Sequence, residues 1–317
     1  MLDARFSFIS WRSNRTMFLS VEKLVNEIKK DKPDPAAARA LQEGLGGQFG
    51  EMRTMMQYQF QNFNFRGDAK PFRDLVRGVG TEEIGHVELV ANTINILLDG
   101  ASTAGGKPDQ PDTLPLANAL DGDGNIHHFL VAAQSSRPVD AAGNPWTALY
   151  VYDSGNLVLN LLYNLMLEAT GRLQKCRLYE MSKNKAFRST VSYLIVRDLA
   201  HEKAFAKALE VLGVNWGNVL PVPKIDTAKM PEVKELEKKN MHNQQWTFAK
   251  DSQMAKIFKG PSPFGDGELE TLDGLPEGFE VPQLPMRPEE FSPGLDAALL
   301  EKVSGITGKP SKKEAVA

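Results

Sequence analysis

Two pairs of metal-binding residue types sit at mirror-image distances from two turns, and this register constrains the chain more than any other feature. Glu51 and Glu83 are equidistant from Gly67, within the turn-forming run Phe65-Arg66-Gly67-Asp68. Glu168 and His201 are equidistant from the boundary between Asn184 and Lys185, within the polar run 182–185. Helical patterns flank both turns. Asp34 and Pro35 suit a cap and first turn, opening a helix that runs to about Phe63 with an interruption near Gly44, Gly46 and Gly47. Val76, Val79, Ile84, Val87, Val90 and Ile94 recur at mostly helical spacing between Pro71 and Leu98. Two more helices are expected over 154–181 and 186–212. In an antiparallel helical hairpin, residues equally far from the turn share one level. Each pair therefore faces across its hairpin about 25 Å from the loop, at 1.5 Å of rise per residue. Hairpins of matching depth can bring the polar groups of all four helices into one plane.

Between the hairpins, residues 99–152 are rich in Gly, Pro, Asp and Asn and lack helical periodicity. A crossover of this length lets the second and third helices run parallel. The expected fold class is all-α: a four-helix bundle with a long crossover between helices 2 and 3 and an extended C-terminal arm. The expected division is an N-terminal extension over 1–16, a catalytic domain over 17–220, and an arm over 221–317 that needs something to pack on. The arm is rich in Pro and Gly, has a short helical patch near 231–240, and is expected to end in a disordered stretch over 309–317.

Composition removes several function classes. The net charge of -3 carries no basic excess, so nucleic acid is not an expected partner. Cys176 is the single cysteine, which rules out an intrachain disulfide and any cysteine-built zinc or iron–sulfur site. It is expected to be a small core residue in a reducing, cytoplasmic setting. No apolar run reaches the roughly 20 residues of a membrane span.

The chemistry rests on a few residues. Glu83 and His86 form Glu-x-x-His, a spacing that puts both side chains on one helix face within reach of one metal ion. Such a pair also arises by chance on a solvated face. Asp198 and His201 repeat the spacing with a shorter acid on another helix, and two such pairs strengthen each other. Glu168 follows a run dominated by leucine, where an uncompensated buried carboxylate costs several kcal/mol. The competing placement is a polar face shared with Asn160, Tyr163 and Asn164. Glu51 follows Gly46, Gly47 and Gly50, which let backbones approach closely; surface exposure is the default for a glutamate. The hairpin register selects Glu51, Glu83, His86, Glu168 and His201 as one ligand set. Oxygen and imidazole donors without thiolate suit manganese or iron. Three carboxylates and a bridging hydroxide would balance two divalent cations. His127 and His128, in a Gly-rich loop beside Asp121, Asp123 and Asn125, are expected in a surface turn.

At these residues the chain resembles the manganese catalase family. The resemblance is carried by GGQFGEMRTMMQYQFQNFNF over 46–65, GTEEIGHVEL over 80–89, GNPWT over 143–147, the helix over 154–180, and RDLAHEKAF over 197–205, and it extends over about 17–300. It implies a ferritin-like bundle, two manganese ions per chain, disproportionation of hydrogen peroxide, and a homohexamer with the C-terminal arm wrapped over neighbours. It implies Glu51, Glu83, His86, Glu168 and His201 as ligands, with Glu51 a candidate bridging carboxylate. Tyr58 resembles the family's tyrosine hydrogen-bonded near the metals. Asp198 stands where some members have an outer glutamate, and Leu167 where some carry an arginine. Asp74 resembles a calcium ligand of some members, but Gly78 occupies the place of the second acid. A di-iron oxidase or ferroxidase on the same bundle is the competing enzyme reading, and a metal-binding bundle without turnover is the non-catalytic one.

Overall fold

The computed structural model describes residues 23–99, 124–132, 134–284, 302, 305 and 306. The expectations for 1–16, for residues 100–123 of the crossover and for 309–317 fall outside the described residues. The described chain is mostly helical. Its elements are β1 (Lys23–Leu24), α1 (Pro35–Gly46), α2 (Glu51–Asn64), α3 (Lys70–Leu98), α4 (Ile126–Leu130), α5 (Leu157–Met181), α6 (Lys185–Val211), α7 (Trp216–Val219), α8 (Pro231–Lys238), β2 (Gln244–Trp246), β3 (Gly260–Pro261), β4 (Glu268–Leu272) and β5 (Phe279–Glu280). β4 pairs parallel with β2 and antiparallel with β3, while β1 pairs antiparallel with β5. These strands, of two to five residues, are too short to leave a period-two signature in sequence.

The caps and turns follow local chemistry. Asp34 accepts from Ala37 N at 2.9 Å and starts α1. The interruption expected near Gly44, Gly46 and Gly47 divides this stretch into two helices, α1 and α2. At Gly46 an added Cβ would lie 2.3 Å from Val139 O, so only glycine admits the segment that crosses there. Gln42 holds that segment by donating to Arg137 O at 2.6 Å and Val139 O at 2.7 Å. The break makes Glu51 the first residue of α2, at the positive end of its dipole. Gly67, in the left-handed region at φ 56°, lies in the turn between α2 and α3. Asn184 caps α6 by accepting from Ala186 N at 2.9 Å.

Apolar packing forms two layers with a polar level between them. One layer joins Leu89, Val90, Ile94, Leu97 and Leu98 of α3 to Leu178 and Tyr179 of α5 and Phe187, Val191, Leu194 and Ile195 of α6. The other joins Leu75, Val76 and Val79 of α3 to Tyr58, Leu161, Leu165, Leu167, Phe205 and Leu209. The intervening residues 82–86, 168–175 and 197–203 include Glu82, Glu83, His86, Glu168, Arg172, Lys175, Arg197, Asp198, His201, Glu202 and Lys203, all buried. Helix α5 buries a polar row, Asn160, Asn164, Glu168, Arg172 and Lys175, beside Leu161, Leu165 and Leu167, while Leu159, Met166 and Leu173 are exposed. Residues after α8 are fastened onto these helices: Lys203 Nζ donates to Asn243 Oδ1 at 2.6 Å, and Gln253 N to Asp74 Oδ2 at 2.9 Å.

Candidate metal centre

The five side chains selected by register meet in the polar level. All are at most 1 % exposed. They form two triads, Glu51–Glu83–His86 and Glu83–Glu168–His201, each with one donor atom per residue and all three atoms within 4.8 Å of one another. Glu83 is common to both. Its Oε2 lies 3.1 Å from His86 Nδ1 and its Oε1 lies 2.9 Å from His201 Nδ1. Glu51 Oε2 is 3.5 Å from His86 Nδ1, and Glu168 Oε1 is 3.6 Å from His201 Nδ1. Sequence had singled out Glu51 as a candidate bridge. Among the five, Glu83 is the acid that lies between the Nδ1 atoms of the two imidazoles, whose centroids are 5.5 Å apart in a stacked arrangement.

Among the described residues, Glu51 Oε2, Glu83 Oε1 and both ring nitrogens of His201 lack an aligned hydrogen bond. Buried polar atoms left in this way cost about 1–3 kcal/mol each, and here they converge. Burial disfavours charging His86 and His201, yet Glu83 beside the first, and Glu82 and Glu168 beside the second, raise both imidazoles well above their usual value. Burial alone would push Glu83 up, but His86 and His201 hold it well below the carboxylate range. Orphaned donors, two imidazoles and a negative field fit divalent cations.

Further groups surround the triads. Thr54 Oγ1 donates to Glu83 Oε2 at 2.9 Å. Tyr58 donates its hydroxyl proton to Glu168 Oε1. Burial and the Glu168 charge push that phenol well up, so it remains a donor. Asp198 does not join His201 as its spacing suggested. It pairs with Lys175, whose Nζ lies 2.7 Å from Asp198 Oδ2 and 2.7 Å from Glu51 Oε1. Burial pushes Asp198 well above its usual value despite Lys175, with Glu168 and Glu51 adding to the rise.

Sequence reasoning missed Glu82, Lys175 and Arg197. Glu82 Oε1 lies 3.4 Å from His86 Nε2 and its Oε2 lies 3.3 Å from His201 Nε2. Arg197 Nε donates to Glu82 Oε1, and Nη2 to Oε2 at 2.9 Å. The available signals were i, i+4 spacings, Glu82 before His86 and Arg197 before His201, and Lys175 seven residues after Glu168. Asp74 lies apart, its Oδ2 2.6 Å from Lys70 Nζ. His128, expected in a surface turn, is instead buried on α4 with Nε2 3.0 Å from Gln42 Oε1, because Gln42 draws this segment onto α1. Cys176 is buried, as expected.

The profile of the family described as manganese containing catalase matches residues 17–309. The manganese catalase of Bacillus subtilis is 37% identical over 76% of this chain and 84% of its own. That of Lactiplantibacillus plantarum is 34% identical over 83% of this chain and 93% of its own. An uncharacterized Bacillus subtilis protein, YjqC, is 39% identical over 80% of this chain and 88% of its own. The solved structure of KatB, a manganese catalase from Anabaena, shares the fold with a TM-score of 0.53 at 20% identity, covering 82% of this chain and 100% of that one.

Proposed function

The chain belongs to the manganese-containing catalase family, and on that premise we propose that Glu51, Glu83, His86, Glu168 and His201 hold two manganese ions about a shared Glu83 carboxylate. Its reaction is the disproportionation of hydrogen peroxide to water and dioxygen. The observation that carries the residue assignment is the pair of buried triads with one acid in common.

When bound, the manganese pair supplies a two-electron redox couple, so that one peroxide is reduced and another oxidised without releasing radicals. The protein's own groups do the remaining work. Thr54 fixes the rotamer of Glu83 through Oε2, and Tyr58 fixes that of Glu168 through Oε1. Asp198, raised by burial, takes and returns the proton of a reacting peroxide oxygen, with Lys175 Nζ linking it to Glu51 Oε1. The two apolar layers above and below the polar level exclude bulk water and restrict entry to small substrates.

The same reading takes α2, α3, α5 and α6 as a ferritin-like four-helix bundle, 99–152 as its crossover, 17–220 as the catalytic domain, 1–16 as an extension and 221–317 as an arm reaching neighbouring subunits. The assembly is a cytoplasmic homohexamer acting against oxidative stress. No helix among the described residues is long and apolar enough to cross a membrane. Light scattering on the full chain tests the assembly, and a monomer would refute it.

The decisive measurement is metal content of protein produced with manganese, followed by oxygen release on adding peroxide. Iron retained with slow oxygen consumption would favour a di-iron oxidase instead. Glu168→Ala is expected to lose one or both ions and oxygen release while keeping its helical content. Unchanged oxygen release would remove Glu168 from the site.

A further inference from the structure

Behind the metal-binding faces of the two histidines lies a single carboxylate. Both imidazoles turn Nδ1 toward the shared acid Glu83 and Nε2 toward Glu82. Glu82 serves them one oxygen each: Oε1 faces His86 Nε2 at 3.4 Å, and Oε2 faces His201 Nε2 at 3.3 Å. These separations are longer than aligned hydrogen bonds, as contacts in an unliganded site often are. On its other side the same carboxylate receives Arg197 bidentately, Nε on Oε1 and Nη2 on Oε2. Arg197 is held in turn. It donates to Met241 O, and to Gln244 O at 2.9 Å, and its guanidinium lies 4.6 Å from the centroid of the Trp246 ring. All members of this chain through Arg197 are at most 1 % exposed.

We propose that Glu82 is a positioning residue common to both metal sites: it accepts the Nε2–H of His86 and of His201, fixes both rings in the tautomer that leaves Nδ1 free as a ligand, and is itself aimed by an Arg197 that residues 241–246 clamp. This inference rests on the reading that the five inner donors bind metal. The chemistry behind it is general. A neutral imidazole carries one N–H, and whichever nitrogen donates leaves the other to ligate. A carboxylate offers two acceptors and no donor, so it can give two histidines the same tautomer at once. A glutamine of the same shape cannot. Its amide NH2 must face one of the two histidines, where it competes with the ring N–H and favours the opposite tautomer, protonated at Nδ1. One site is then disabled and the other kept. The alternative is that Glu82 is only the counter-ion of a buried arginine. In that case its replacement changes stability and leaves the relation between the two sites untouched.

The experiment is manganese uptake by full-length Glu82→Gln, read by elemental analysis and by electron paramagnetic resonance. The wild type is expected to take up about two ions per chain with a spin-coupled spectrum. The variant should fall toward about one, with the six-line signal of an isolated ion, and its second site should weaken by about 10–100-fold. Zinc-loaded protein labelled with 15N-histidine supplies a readout independent of turnover: two protected Nε2–H protons at the centre in the wild type, one in the variant. Should Glu82→Gln fail to fold, Arg197→Lys keeps the charge but loses the bidentate fork. It is expected to weaken manganese binding about 10-fold. A variant that retains two coupled ions at wild-type affinity overturns the role of Glu82 while leaving the metal centre standing. A wild type that binds no metal overturns the reading beneath it.

Discussion

Lys175→Met in metal-free protein gives the sharpest test of how the polar level is held together. Lys175 is 2 % exposed, and its ammonium lies 2.7 Å from both Glu51 Oε1 and Asp198 Oδ2. Methionine keeps the unbranched stem, one atom shorter, without the charge. Removing one partner of a buried pair costs about 3–5 kcal/mol, because the other charge is left uncompensated. The proton sets a ceiling. Burial already pushes Asp198 well above its usual value, so the abandoned carboxylate escapes by binding a proton. Protonating an aspartate of ordinary pKa costs about 4 kcal/mol at pH 7 and about 1.5 kcal/mol at pH 5. The variant should therefore melt roughly 4–8 °C below wild type at pH 7, and the gap should shrink severalfold at pH 5. Adding Asp198→Asn should recover at least half of the loss. Differential scanning calorimetry of chelator-treated protein at a fixed scan rate reads all three. An equal loss at both pH values, or a double variant no better than the single, would refute the claim that Asp198 carries the exposed charge.

The shared acid predicts unequal losses of metal: Glu83→Gln should abolish both ions, whereas Glu51→Gln should remove chiefly the one beside His86, as elemental analysis of each variant would reveal. His128 supplies a pH dependence of definite sign. Burial first, with His127 and Arg137 adding, pulls its imidazole down to about 4. Below pH 6.5 the unfolded chain binds a proton that the folded chain refuses, so stability present at neutral pH is lost as pH falls toward 4, by at most about 3 kcal/mol. His128→Gln should flatten the fall in urea midpoint between pH 7 and 4.5, and an unchanged slope would exonerate His128.

Helix register was the most legible feature of this chain, for a geometric reason. A hairpin converts sequence distance from its turn into depth at a fixed rise, so Gly67 and Asn184 sufficed to align Glu51 with Glu83 and Glu168 with His201. Direction around each helix was harder to read. Asp198 shares the spacing of Glu83 relative to its histidine, but it turns to Lys175, since an aspartate is one methylene shorter and a cation lies within reach on α5. Glu82 escaped notice because it adjoins Glu83 in sequence, and adjacent residues on a helix point some 100° apart. Only the approach of α6, bringing Arg197 and His201, gives that direction a meaning. The short strands and the burial of His128 depend on contacts between segments far apart in sequence, such as Gln42 with Val139, which no local pattern records.

Charge accounting supports the proposal that these buried acids form a cation site. Glu82 is matched by Arg197, Asp198 by Lys175, and Glu202 by the guanidinium of Arg172 at 3.0 Å from its Oε2. Each of these pairs is neutral by itself, with its partners at most 5 % exposed. A buried pair of this kind contributes little net stability and chiefly fixes orientation. Setting the three pairs aside leaves Glu51, Glu83 and Glu168, which among the described residues share Lys175 with Asp198 and otherwise have only the imidazoles of His86 and His201 as basic neighbours. They are also the carboxylates that form triads with His86 and His201. An apolar substitution would stabilise a bundle that had no use for them. Three acids at one level that share one lysine and two imidazoles, while each neighbouring acid has a basic partner of its own, form an arrangement that divalent ions would complete.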